Sequence, residues 1–355
     1  MTPRSFDAIP VVDLAAVDDP ARRDALANEL CSTCHDVGFA VLANHGVDPQ
    51  LVTDVFDLMH RFFALDEAQK SLIDKRRSPH FRGWEAVGSE FTNNRVDVRE
   101  QIDVWSEWPA DPANGAGPAW RRLLGPNQWM PDELLADHRR LTLRWMDELS
   151  ELADRILGLI ALGLGLDPDH FDRCFGDQPM SLTKMIHYPP TPDGGAGVNA
   201  HHDTGFVTLL APGPTPGLQV LNPLGEWIDA PSIPDTFILN LGEMLQAMTG
   251  NYLAATGHRV IAHEERFSTA YFHGPSLDTE LVQIELAPRF AEAVAASERH
   301  RSAGFMASRS QTEAGIADMG NDRPASTYGE QLWNYFARSY PDNMAAHHRD
   351  LVTRS

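Results

Sequence analysis

Cysteine is scarce in this chain: Cys31, Cys34 and Cys174 are the only three in 355 residues. An odd, sparse set gives no disulfide framework and suits a reducing compartment. Basic charge is also short, with 29 Lys and Arg against 50 Asp and Glu and a formal net charge of −21. Such a surface repels phosphate backbones and argues against a nucleic-acid partner. No apolar run reaches membrane length. The longest, Ile156 to Leu166, is broken by Gly158, Gly163 and Gly165, so no membrane span is expected. Met1 to Asp7 contains no apolar stretch; no signal peptide, and hence a cytoplasmic location, is expected. No internal repeat is found.

What is present is an ordinary globular composition, 43% hydrophobic, enough for a sizeable core. Helical spacing runs from Pro20 to about Asp36 and from Pro49 to Phe63, with a buried-type strand at Gly38–Leu42 and an Asn44-His45-Gly46 turn between them. His45 in that turn fits a capping or core role. Cys31-Ser32-Thr33-Cys34-His35 matches the c-type haem attachment pattern. The thiols continue an apolar helical face with Leu26 and Leu30, so they read as buried or half-buried. A long helix is expected from Pro131, with Asp132 and Glu133 in its first turn, to about Leu162. His138 lies on its apolar stripe and reads as core.

From Ser181 the pattern changes to short strands and turns: Leu182–Tyr188, Gly205–Leu210, Gly217–Leu221, Glu226–Ile228, Thr236–Leu241, His258–Ala262 and Thr269–Phe272. Short strands with regular turns argue for a sandwich or jelly roll. Phe206, Leu218, Phe237, Leu239 and Phe272 read as its packing. The chain divides into residues 1–120 (mixed helix and strand), 121–180 (a spine helix), 181–290 (the strand-rich core) and 291–355 (a loop and a helix). The small, polar stretch Ser302 to Ala325 suggests a lid.

Inside the strand-rich part lies His201-x-Asp203. On a strand, residues two apart share a face, so an imidazole and a carboxylate leave side by side. His202 would then point away. His258 is the best third ligand, and two histidines with one carboxylate form the facial triad of non-haem Fe(II) oxygenases. Eight residues later comes Arg266-Phe267-Ser268. Its planar guanidinium fork matches a carboxylate, and the hydroxyl on the same face adds a donor.

This order, with Gly217-Leu218-Gln219-Val220, Asn240-Leu241-Gly242-Glu243 and His258-Arg259-Val260 as fillers, resembles the 2-oxoglutarate- and Fe(II)-dependent oxygenases of the isopenicillin N synthase-like superfamily. The resemblance covers nearly the whole chain. It implies an α+β fold: a double-stranded β-helix (jelly roll) core with flanking N- and C-terminal helices. It implies Fe(II), held by His201, Asp203 and His258, and 2-oxoglutarate and O2 as co-substrates. Arg266 and Ser268 would hold the distal carboxylate of 2-oxoglutarate, with a hydrogen bond from Tyr188. Where the family often has Asn-Tyr-Tyr, this chain has Ile186-His187-Tyr188, which makes His187 a candidate for the C1-carboxylate contact. It also implies that succinate and CO2 are released and that a small molecule is oxidised, most simply hydroxylated. An amino acid or a secondary-metabolite intermediate is the implied substrate class.

The tail from Tyr328 to Asp342, with Met248-Thr249-Gly250 and Glu265-Arg266-Phe267, most resembles bacterial ethylene-forming enzymes and their relatives. In that group the positions of Glu90, Thr92 and Arg338 contact an amino-acid co-substrate. For Glu90 the alternative is a structural carboxylate paired with a nearby Arg; for Arg338, a surface arginine with a salt-bridge partner. The rival functions are a 2-oxoglutarate-dependent ethylene-forming reaction, an oxidase that does without 2-oxoglutarate, a zinc hydrolase on the same ligands, and an inactive binding protein. The hydrolase leaves Arg266-x-Ser268 unexplained, and the complete triad argues against an inactive protein.

Overall fold

The computed structural model describes residues 5–92, 95–111, 117–191, 195–302 and 327–352. The stretch read as a lid lies almost wholly outside them. Fourteen strands are described. They are β1 (Val11–Asp13), β2 (Phe39–Ala43), β3 (Gly83–Glu85), β4 (Phe91–Thr92), β5 (Arg95–Val96), β6 (Glu100–Trp105) and β7 (Leu182–Tyr188). After these come β8 (Ala196–His201), β9 (Val207–Ala211), β10 (Leu218–Leu221), β11 (Trp227–Asp229), β12 (Phe237–Leu241), β13 (His258–Ile261) and β14 (Arg266–His273). One sheet runs β1-β2-β12-β9-β14-β7-β6-β3, a second β11-β10-β13-β8, and β4-β5 form a separate ribbon. Apart from the parallel β1–β2 pair, neighbouring strands are antiparallel. This is the jelly roll.

Period-2 alternation divides the large sheet's side chains between two apolar layers. Phe39, Val41, Ile186, Tyr188 and Ile238 form one buried cluster with Val198, Leu218, Val220 and Val260 from the small sheet. On the opposite face, Leu209, Leu239 and Tyr271 join Leu51, Val55, Trp145, Leu149 and Ile156 of the covering helices. The functional cavity opens on the inter-sheet side.

Helices Arg23–Asp36 and Pro49–Phe63 occupy the expected positions. The spine helix is His138–Gly163, beginning seven residues later than Pro131. Pro131 to Leu135 close a turn instead, and Asp137 takes a left-handed φ of 66° that breaks the chain direction before the helix. Strands β3, β5, β6 and β8 are additional to those expected. Cys31 and Cys34 are buried on the first helix, and burial pushes the Cys31 thiol up to about 12, so these are packing residues. His45 sits in its turn, with Nδ1 accepting from Val47 N–H at 3.1 Å and Nε2 3.1 Å from Asp235 O. Among the described residues no helix is long and apolar enough to cross a membrane.

His138 is fully buried and its Nδ1 accepts from Met130 N–H at 3.2 Å. Burial pulls its pKa from 6.5 down to about 4. The unfolded chain therefore takes up the proton first, and acid favours unfolding between those two values; above pH 6.5 this contribution to stability is intact. Stability is expected to fall over that window by up to ~1.4 kcal/mol per pH unit for each such histidine. His138→Gln, which keeps an acceptor for Met130, should flatten the slope measured by chemical denaturation. An unchanged slope would show that His138 titrates normally.

Candidate active site

His201 ends β8 and His258 begins β13, and the two are direct cross-strand partners. Their rings lie 4.3 Å apart between centroids. Asp203 is not on the strand, which stops at His201; it reaches the same point from the turn that follows. That turn is held from behind. Glu243 N–H donates to Asp203 O at 2.8 Å and Gly242 N–H to Phe206 O at 2.9 Å. A Cβ on Gly242 would meet Gly205 O at 2.1 Å, so only glycine permits this approach. Asp203 Oδ1 lies 3.7 Å from His201 Nε2 and 3.6 Å from His258 Nε2. The three donor atoms all fall within 4.8 Å of one another. His202 is not among the convergent donors, although it also lies on the cavity wall.

The donor set fits a divalent metal. His201 Nδ1 bonds Asn199 O at 2.9 Å and His258 Nδ1 bonds Thr256 O at 3.1 Å. Each Nδ1 therefore carries the proton and each Nε2 lone pair faces the partners. Burial, then His201, pulls the His258 pKa down to about 4, and burial also lowers that of His201. Both rings are neutral and able to ligate at pH 7. Asp203 Oδ2 accepts from Thr208 Oγ1 at 2.5 Å and from Asn240 Nδ2 at 2.6 Å, which turns Oδ1 inward. Asn240 is present in a quoted motif and Thr208 in the strand read at Gly205–Leu210, but nothing in their spacing places them on the carboxylate.

Arg266 and Ser268 share one face of β14, as alternation requires. Arg266 Nη1 donates to Ser268 Oγ at 2.8 Å and Nη2 to Pro212 O at 3.2 Å. The guanidinium is fully buried, and among the described residues no carboxylate pairs with it and its Nε has no partner. Burial lowers its pKa. A buried, uncompensated guanidinium is costly and fits an incoming carboxylate. Tyr188, the register partner of Arg266 across β7, has its ring 4.9 Å from the guanidinium carbon.

The triad and this anchor line one cavity of about 590 Å³. Its wall includes Ile186 and Tyr188 but not His187. Successive residues of β7 face opposite sides, and His187 points away: Nδ1 is 2.8 Å from Glu100, Nε2 is 3.2 Å from Glu265, and the ring stacks on Phe267 at 4.7 Å. The expectation that His187 contacts the co-substrate is corrected by the same alternation that places Tyr188 inside. Leu218 and Phe272, read as packing, are also on the cavity wall.

Glu90, Thr92 and Arg338 all line this cavity, Arg338 from an exposed position on helix Tyr328–Ser339. Glu90 is ion-paired with Arg99 at 2.6 Å and lies 3.4 Å from Lys184 and 3.2 Å from Tyr335 OH. Burial would raise its carboxyl, but Arg99, Lys184 and Lys75 outweigh it and hold the group well below the usual range. Thr92 donates to Asp97 at 2.6 Å. The polar atoms of both residues are thus engaged within the protein, the structural alternative for Glu90. Lys184, Tyr335 and Gln331 complete this wall, and no motif in the sequence singles them out.

A jelly roll that holds two histidines and a carboxylate beside a buried arginine defines the 2-His-1-carboxylate oxygenase class. Comparison with known proteins narrows this. Residues 179–275 match the 2OG-Fe(II) oxygenase superfamily, and residues 9–132 match the N-terminal region described as non-haem dioxygenase in morphine synthesis. The 2-oxoglutarate-dependent dioxygenase frbJ of Dothideomycetidae sp. (strain 11243) is 32% identical over 292 residues, 79% of this chain and 78% of the relative. Homoarginine-6-hydroxylase 2-ODD-C23 of Glycine max is 30% identical over 300 residues, 79% and 89% of the two chains. Among solved structures, a full-length Neurospora crassa protein in complex with alpha-KG superposes with a TM-score of 0.72 at 23% identity, covering 94% of this chain and 96% of that one. The chain belongs to the 2-oxoglutarate- and Fe(II)-dependent oxygenases. It is an oxidoreductase of small molecules that uses Fe(II), 2-oxoglutarate and O2 and releases succinate and CO2. The ethylene-forming and 2-oxoglutarate-independent alternatives gain no support from these relatives.

Proposed function

We propose that His201, Asp203 and His258 hold the iron, that Arg266, Ser268 and Tyr188 hold 2-oxoglutarate, and that the enzyme hydroxylates an amino acid or a secondary-metabolite intermediate in the cytoplasm. The observation that carries this reading is the single cavity shared by a cluster of two neutral imidazoles and one carboxylate and a buried arginine with no carboxylate partner among the described residues. When bound, Fe(II) would activate O2, the oxidant, with 2-oxoglutarate oxidised to succinate and CO2 as the attacked C–H bond is oxidised. The chain's own residues orient. Thr208 and Asn240 aim the carboxylate, and the backbone carbonyls of Asn199 and Thr256 fix the imidazole tautomers. Arg266 neutralises the far end of the co-substrate.

The amino-acid reading draws on the name of the soybean relative, on the carry-over to Glu90, Thr92 and Arg338, and on a wall that mixes ionic groups with Trp105, Leu182 and Phe336. Glu90 and Thr92 serve in it as the frame that fixes Arg99 and Lys184. The acidic surface, at −21 overall, argues against nucleic-acid and membrane partners. The test is succinate release from 2-oxoglutarate with Fe(II) and a panel of amino acids, with headspace ethylene followed in parallel. Stimulation by one member and no ethylene is the expected result. Ethylene, or 2-oxoglutarate decay indifferent to every member, would contradict it.

A further inference from the structure

The helix Tyr328–Ser339 closes the cavity on the side of β6, and Phe336 on it packs edge-on against Trp105 at 5.6 Å. It presents Gln331, which is 2% exposed, to the cavity wall. Among the described residues neither the amide nitrogen nor the amide oxygen of Gln331 has a hydrogen-bond partner. Trp105, at the end of β6, is 3% exposed and lines the same cavity, and its indole N–H is also without a partner. Two donor nitrogens and one acceptor oxygen are therefore left unspent on residues that line one cavity. Buried polar groups are nearly always satisfied, and each one left bare costs free energy. The requirement falls on whatever fills the cavity.

The neighbouring charges restrict what that can be. Glu90 is held by Arg99 at 2.6 Å, Asp103 by Lys75 at 2.7 Å, and Lys184 bridges the two carboxylates at 3.3–3.4 Å. Every carboxylate and cation of this set already has an opposite partner. A further full charge brought against Gln331 would face a neutral amide rather than an opposite charge, which is unfavourable. A neutral group with a donor beside an acceptor meets the Gln331 amide edge to edge and leaves an acceptor lone pair for the indole N–H.

We infer that Gln331, assisted by Trp105, is a specificity-determining residue that reads a neutral amide-type edge, such as a carboxamide or lactam, on the prime substrate. The inference rests on the proposed oxygenase site but concerns the far wall of its cavity. It adds a recognition element distinct from Glu90, Thr92 and Arg338. The apolar faces of Leu182, Phe336 and Trp105 take the body that carries this edge.

The test uses three probes with one body and different heads: 3-phenylpropanamide, 3-phenylpropanoate and 3-phenylpropylammonium. Each is titrated calorimetrically, without O2, into full-length protein loaded with Fe(II) and 2-oxoglutarate. The amide is expected to bind roughly 10- to 100-fold more tightly than either charged probe, the range set by leaving one or two buried polar groups unmatched. Gln331→Leu, of similar size and apolar, should abolish that preference, and Trp105→Phe should reduce it. Equal binding of the three heads, or no binding of the amide, would overturn the inference; so would a preference that survives Gln331→Leu, as when an ordered water alone serves Gln331. The preceding titration with 2-oxoglutarate separates the two levels: its failure condemns the cofactor site, whereas a normal 2-oxoglutarate titration followed by no amide preference condemns only the role of Gln331.

Discussion

His258→Ala is expected to lose iron and to bring turnover below detection. His258 supplies one of three inward donors, and its position is set at both ends: by the Thr256 carbonyl on Nδ1 and by cross-strand pairing with His201. Alanine leaves one imidazole and one carboxylate, too few to fix a facial arrangement. Even residues that only orient a ligand are worth roughly 10–100-fold in affinity or activity, so losing the ligand itself costs more. The substitution also removes a group whose charged form the fold disfavours, so thermal stability of the metal-free protein should hardly suffer. The measurement is iron content after anaerobic reconstitution, with succinate release beside it. Retained iron and full turnover would place the ligand elsewhere, and His202→Ala, outside the convergent set, is expected to keep both.

Arg266→Ala is expected to raise the KM for 2-oxoglutarate by about two orders of magnitude. A charge-assisted hydrogen bond contributes ~1.5–3 kcal/mol, which is roughly 10- to 150-fold. The carboxylate would in addition lie in a buried pocket with only Ser268 and Tyr188 to meet it. At saturating 2-oxoglutarate much of kcat should return, because the substitution leaves the triad intact. Arg266→Lys should recover little, since an ammonium is a point charge and cannot reproduce the planar fork. An unchanged KM in Arg266→Ala would mean that another group anchors the co-substrate.

The parts of this site that could be read in the sequence are those governed by short-range periodicity. Arg266 and Ser268 share a face because a strand alternates, and Tyr188 meets Arg266 because the strand read at Leu182–Tyr188 pairs with β14 in register. The same rule, applied one residue further, would have excluded His187. His201 and Asp203 converge as read, but for another reason: Asp203 comes from a turn clamped by Gly242 and Glu243 rather than from the strand. What could not be read depends on long-range packing. The spine helix starts at His138 because Asp137 turns left-handed, which no capping signal announced. A pairing of Glu90 with a nearby Arg could be read, but its second ion pair, with Lys184 of β7, depends on a sheet order that the chain does not spell out. Gln331 is an ordinary polar residue on an amphipathic helix until the cavity behind it is seen.

Anaerobic titration of the Fe(II)-loaded protein with 2-oxoglutarate tests most directly the claim that one cavity holds both, and it needs no knowledge of the prime substrate. One equivalent is expected to bind in the wild type, with binding much weaker in Arg266→Ala and in His258→Ala. Absence of binding in the wild type, or affinity unchanged by both substitutions, would contradict the assignment.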